Sequence, residues 1–161
     1  MQFVLESAMC TEGENMYKRI ILAYDGSASG QQALLGIKDL THWDRPKLTL
    51  VAVAPTFEMD IGAIEMGYLG NASSAEIEEK LKEQLSKGVK TLRSMGFEAD
   101  GEILKGEVIR EVTRFAAEQQ ADLIVVGHKH EKSLLRRWWI GSTAKSLVEE
   151  ASCNVLIVVE K

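Results

Sequence analysis

Segments of β character and segments of helical period take turns along nearly the whole chain. That alternation leaves an α/β domain with a mostly parallel sheet as the expected fold class. Five short strands are expected, over 19–24 (Arg-Ile-Ile-Leu-Ala-Tyr), 48–54, 98–104, 122–126 and 154–159. β-branched residues run almost without a break through the last two, as strands covered on both faces require. Four helical stretches lie between them. Over 142–151, Ala144, Leu147, Val148 and Ala151 recur at i, i+3, i+4 and i+7. Over 75–95, Ile77, Leu81, Leu85, Val89, Leu92 and Met95 recur at spacings of four or three, with Glu and Lys elsewhere, and Gly96 stops the helix. Val108, Val112, Phe115 and Ala116 give the third helix its core face, and Ala33, Ile37 and Leu40 give the first its own, with Ser27 or Ser29 as its cap.

At 161 residues, 45% of them hydrophobic, the chain suits one domain with a single core. Two pieces stand outside the alternation. Residues 1–15 read as a flexible N-terminal extension, because Met16 offers a second start directly ahead of the first strand, and 16–161 is the expected domain. The connection over 55–74, with Met59, Gly62, Met66, Gly67 and Gly70, is either a functional lid or a loose link. The 24 acidic residues outnumber the 19 basic ones, and a net charge of −5 gives no overall attraction to nucleic acid or to an anionic membrane. The longest apolar runs, 123–126 and 155–159, fall far short of the roughly 20 residues that span a bilayer. Met-Gln-Phe-Val-Leu-Glu at the start lacks the basic and apolar regions of a secretion signal, so a cytoplasmic location is expected. Cys10 and Cys153 do not form a disulfide framework, and Cys153 reads as a small buried side chain.

In open parallel sheets, ligands bind beyond the carboxyl ends of the strands, where the strand order reverses. The first strand ends in Ala23-Tyr24-Asp25-Gly26-Ser27, the second in Val51-Ala52-Val53-Ala54 and the fourth in Val125-Val126-Gly127. Gly141-Ser142-Thr143 then opens the last helix. Such a start presents unpaired N–H groups and the positive end of the dipole, and a residue without a side chain lets an anion come close. Each dipole contribution is only about 0.3–1 kcal/mol, so several donors must act together to hold a phosphate. Lys129, Lys132, Arg136 and Arg137 either supply charge to it or are solvated surface bases. Asp25 either accepts hydrogen bonds from an adenine amino group or a ribose, or simply starts an Asp-Gly turn. His128 and His130, placed after the strand, have no Cys or Asp cluster beside them, so they read as phosphate contacts or a solvent-facing loop rather than metal ligands. Gly127 to Ser133 misses the phosphate loop of the common ATPases, since Glu131 stands where a glycine must precede Lys132. The first strand also lacks the glycine fingerprint of dinucleotide folds. Trp138 and Trp139 read as loop anchors or, alternatively, as a partner-binding face.

Tyr17-Lys-Arg-Ile-Ile-Leu-Ala-Tyr-Asp-Gly-Ser at the start, with Asp122-Leu-Ile-Val-Val-Gly, Gly141-Ser-Thr-Ala-Lys-Ser-Leu-Val and Cys153-Asn-Val-Leu-Ile-Val-Val at the end, resembles the universal stress protein family over 16–161. The resemblance is specific at both ends and weak in the middle. It implies an open five-stranded parallel sheet of order 3-2-1-4-5 with helices on both faces, Rossmann-like and similar to the adenine nucleotide alpha hydrolase fold. It also implies a homodimer through Val155 to Val159. The family's ATP-binding branch carries glycine, two residues, glycine, nine residues, glycine, then serine or threonine. Gly127, Gly141 and Ser142 match its ends, whereas His130 and Glu131 stand where the middle glycine falls and the loop is one residue longer. Carried over by matched position, Ala23 and Asp25 border the base, Val53 packs on adenine, Val126 and Gly127 line the ribose, and Gly141, Ser142 and Thr143 hold phosphate; Tyr24 is counted with the binding residues. Lys129, His130 and Lys132 replace the missing glycine's contacts by charge. The implied ligand is an adenine nucleotide, AMP, ADP or ATP, with Mg accompanying ATP. The implied role is a dimeric stress-response regulator without dedicated turnover, not an enzyme. A nucleotide-free interaction protein of the same fold, or a slow nucleotide hydrolase or transferase, are the alternatives. Neither the His-x-Gly-His nor the Ser-Gly-Gly-x-Asp-Ser string of adenylylating relatives occurs.

Overall fold

Parallel strands buried on both faces need apolar side chains at consecutive positions. β1 (Arg19–Ala23), β2 (Lys47–Ala54) and β4 (Leu123–Lys129) meet that need at the centre of a five-stranded sheet. β3 (Glu98–Lys105) and β5 (Asn154–Glu160) flank them; the order is β3-β2-β1-β4-β5 and every neighbouring pair is parallel. The computed structural model describes residues 17–40, 46–54, 56, 74–129 and 146–160. The expected extension over 1–15 and nearly all of the 55–74 connection lie outside them.

The period-2 alternation of the strands divides the interior into two layers. Ile20 and Leu22 of β1, Leu48 and Leu50 of β2 and Leu123 and Val125 of β4 face α1 (Ala28–Leu40) and α2 (Ser74–Ser94), against Ala33, Leu34, Ile37, Leu85, Val89 and Leu92. Ile21, Val51, Leu104 and Ile124 face the other way, onto Ile109, Val112 and Ala116 of α3 (Val108–Glu118) and onto Leu147 in the helical residues 146–150. Among the described residues, no helix is long and apolar enough to cross a membrane.

The expected strand order and the helices on both faces are therefore present, with three local differences. The core stripe of α3 is centred on Ile109, Val112 and Ala116, and Val108 is 47% exposed, because the helix begins at Val108 and its first turn extends beyond the sheet. Val148 is 60% exposed, while Leu147, one position earlier, is buried. β4 does not stop at Val126 but continues through Gly127, His128 and Lys129, since β5 extends far enough to pair with them as Val158, Val159 and Glu160. His128 thus lies within the strand and not in the loop after it.

At the amino ends of the strands, Asp122 joins β1 to β4. Its Oδ2 accepts from Lys18 N at 2.8 Å and Arg19 N at 2.7 Å, its own N–H donates to Arg19 O at 2.8 Å, and Arg19 Nε donates to Gln120 O at 2.8 Å.

Candidate functional site

A sheet of this order reverses between β1 and β4, so the crevice lies beyond Ala23 and Val126, which are register partners. Ala23, Val126 and Val53 are all half-buried and all face the layer that holds α3 and Leu147. Three of the residues expected to border a ligand therefore share one face at the carboxyl end of three adjacent strands. Val51, the register partner of Ala23 on β2, is fully buried, and Val53 stands one pleat nearer the crevice.

Asp25 is exposed and does start the turn: its Oδ1 accepts from Ser27 N at 2.9 Å. Gly26 follows at φ 76, and the carboxamide of Gln84, reaching over from α2, comes within 2.5 Å of where a Cβ would stand. Ser27 caps α1, its Oγ accepting from Gly30 N at 3.1 Å and its carbonyl from Gln31 N at 2.8 Å. Ser29, the other candidate cap, is buried instead, with its Oγ 3.1 Å from that of Ser27. Tyr24, expected to lie at the ligand, has its ring in the core beside α1 and α2. Its N–H donates to Val51 O and its phenol to Gln31 Oε1, both at 2.8 Å. Burial, then the neighbouring Asp25 carboxylate, push that phenol above its ordinary range, against a smaller opposing effect of Lys87.

Gly127 owes its identity to packing. A Cβ there would run into the carbonyl of Ser29 and stand 2.6 Å from Gly30 N, so the first turn of α1 sits directly on β4. On the opposite flank the start of α3 is closed by its own N-cap: Glu107 accepts from Ile109 N at 3.0 Å and Arg110 N at 2.8 Å. Lys129 is the last residue of β4, opposite Glu160. His130, Lys132, Arg136, Arg137, Trp138, Trp139, Gly141, Ser142 and Thr143 lie outside the described residues. Among the described residues, no group of three or more His, Cys, Asp or Glu side chains is placed to hold a metal ion. Sequence reading missed Gln84 and Glu107. Glu107 was signalled by its place just before the apolar period of α3, but a contact from a distant helix such as that of Gln84 leaves no local trace.

A half-buried apolar shelf with a carboxylate at its rim fits a flat heteroaromatic ring that also carries hydrogen-bond donors. Ala23, Val53 and Val126 would hold such a ring, and Asp25, whose Oδ1 is committed to the turn, would reach its donors through Oδ2.

Comparison with known proteins agrees with this architecture. The profile of the universal stress protein family matches residues 16–159. Universal stress protein MJ0531 of Methanocaldococcus jannaschii is 29% identical over 98% of this chain and 91% of its own length. Among solved structures, that of the hypothetical protein MJ0577 superposes with a TM-score of 0.71 at 23% identity, covering 91% of this chain and 98% of the other. A family protein from Arabidopsis thaliana, solved with AMP bound, superposes with a TM-score of 0.64 at 15% identity over 89% and 92%. With the matched profile spanning all five strands and the order β3-β2-β1-β4-β5 in place, the chain belongs to the universal stress protein family.

Proposed function

We propose that this protein binds an adenine nucleotide, AMP, ADP or ATP, at the carboxyl ends of β1, β2 and β4, and that occupancy rather than turnover is its output. The observation that carries this reading is the convergence of Ala23, Val53 and Val126 on one face of the sheet at the point of strand reversal, with Asp25 at the rim. In this reading the phosphate end lies toward Gly141, Ser142 and Thr143, with Lys129 and His130 adding charge, and Mg accompanies ATP. The relative solved with AMP supports the ligand class. The protein acts as a homodimer joined along the outer edge of β5, through Val155 to Val159, and works in a stress response in the cytoplasm.

Thermal unfolding with and without each nucleotide tests the ligand. At one hundred times its dissociation constant a ligand stabilises by about 2.7 kcal/mol, which in a domain of this size raises Tm by about 5–11 °C. No shift with AMP, ADP or ATP overturns the proposal. It would favour a second reading, a nucleotide-free interaction protein of the same fold, for which the replacement of the middle glycine by His130 and Glu131 speaks. Metal-dependent release of phosphate from ATP, lost in Asp25→Ala, would overturn the absence of turnover.

A further inference from the structure

We infer that Val108 is the wall of the site on the α3 side and packs on the uncharged base of the bound nucleotide, an inference that rests on the nucleotide reading above. At about 100° per residue, Val108 lies about 40° from Val112 and about 20° from Phe115 around the helix, so it belongs to the stripe that faces the sheet. Val112 is nonetheless fully buried and Phe115 half-buried, whereas Val108 is among the most exposed large apolar side chains described. The difference lies along the helix axis. Four residues at about 1.5 Å each carry Val108 about 6 Å past Val112, toward the carboxyl ends of the strands. The sheet ends there: Gly106 N donates to Ala54 O at 3.1 Å, which fastens the approach to α3 to the last residue of β2, next to Val53. Val53 and the α3 stripe occupy the same layer, so Val108 carries its apolar surface over the crevice beside Val53 instead of over the strands.

Glu107 decides which end of a nucleotide this corner accepts. Its two carboxylate oxygens are bonded to the N–H groups of Ile109 and Arg110, so two of the first-turn donors that would draw in a phosphate are taken, and the carboxylate repels a second anion. The base, flat and without charge, is the part of the ligand that such a corner tolerates, and an apolar wall there removes one of its faces from water.

Isothermal titration of AMP into the wild type and Val108→Ala, at about 0.05 M and 0.5 M salt, tests this. Alanine is a good helix former at an exposed position, so the fold stands. Leu35→Ala, which trims an exposed apolar residue of α1, is the control. Loss of two methyl groups from a contact with the base weakens AMP binding about five- to tenfold. An apolar contact is not screened, so the factor is the same at both salt concentrations, and Leu35→Ala leaves affinity unchanged. An unaltered AMP affinity in Val108→Ala overturns the inference while the nucleotide reading stands. So does a loss that shrinks with salt, which would place the effect at the phosphates, or an equal loss in Leu35→Ala. A wild type that binds no AMP, ADP or ATP overturns the nucleotide reading itself.

Discussion

Replacing Gly127 by alanine separates two reasons for a glycine at the end of β4: room for a ligand, and room for a helix. The added methyl group would meet the carbonyl of Ser29 and stand 2.6 Å from Gly30 N, both backbone atoms of the first turn of α1. That turn cannot swing aside alone, since Asp25 holds Ser27 N and the Ser27 hydroxyl holds Gly30 N. Ordinary Cβ contacts begin near 3.4 Å, so α1 must lift by about 1 Å, and Ala33, Leu34 and Ile37, all 0% exposed, lift with it. Forcing a methyl group into such a contact costs about 1–3 kcal/mol, which lowers Tm by about 2–12 °C in a domain of this size. Differential scanning calorimetry without nucleotide reads the shift directly. Gly36→Ala is the matched control: it lies in the same helix with nothing within 4 Å of its added Cβ, and it stabilises by about 0.5–1 kcal/mol through helix propensity. A Gly127→Ala protein as stable as the wild type would refute the seating of α1 on β4 and return the glycine to a role at the ligand alone.

Asp122→Ala leaves the Lys18 and Arg19 amides without their acceptor and costs about 1–3 kcal/mol in urea unfolding; Asp122→Asn, which keeps one side-chain oxygen, loses less. Glu107→Ala removes the α3 cap and costs about 0.5–2 kcal/mol by the same measurement. Burial, reinforced by Asp122, pushes the Cys153 thiol up, so less thiolate is present at pH 8, and in a Cys10→Ser protein alkylation by iodoacetamide is slower than that of an unstructured peptide thiol. Gly141→Val abolishes the nucleotide-dependent rise in Tm without lowering the Tm of the free protein.

The alternation and the 3.6-residue period specified five strands and the faces of most helices, because strands buried on both sides and helices buried on one write different rhythms into a chain. Resemblance at the two ends supplied the strand order, which periodicity alone leaves open. The boundaries were harder. The extension of β4 through Lys129 depends on the length of its partner β5, and no residue of β4 announces it. Val108 fits the apolar period of α3 as well as Ile109 does, but burial is decided by where the sheet ends, a fact about β2 and β3. Ala23, Val53 and Val126 were named through the family resemblance, and the structure brings them onto one face at the carboxyl ends of their strands. Gly127 was legible as a glycine but not as the seat of α1, since the helix that presses on it lies about a hundred residues earlier in sequence. Asp25 forms the Asp-Gly turn, which one of its oxygens serves.

The seam between β1 and β4 is pinned twice, by Asp122 at one end and by α1 resting on bare backbone at the other. Such a seam behaves as a keel: it has little freedom to widen when something enters beside it. Adjustment to molecules of different size must then come from the flanks, where the β3–α3 corner hangs from β2 by the Gly106 amide. Ligand entry should therefore leave hydrogen exchange along β1 and β4 nearly untouched while slowing it at that corner.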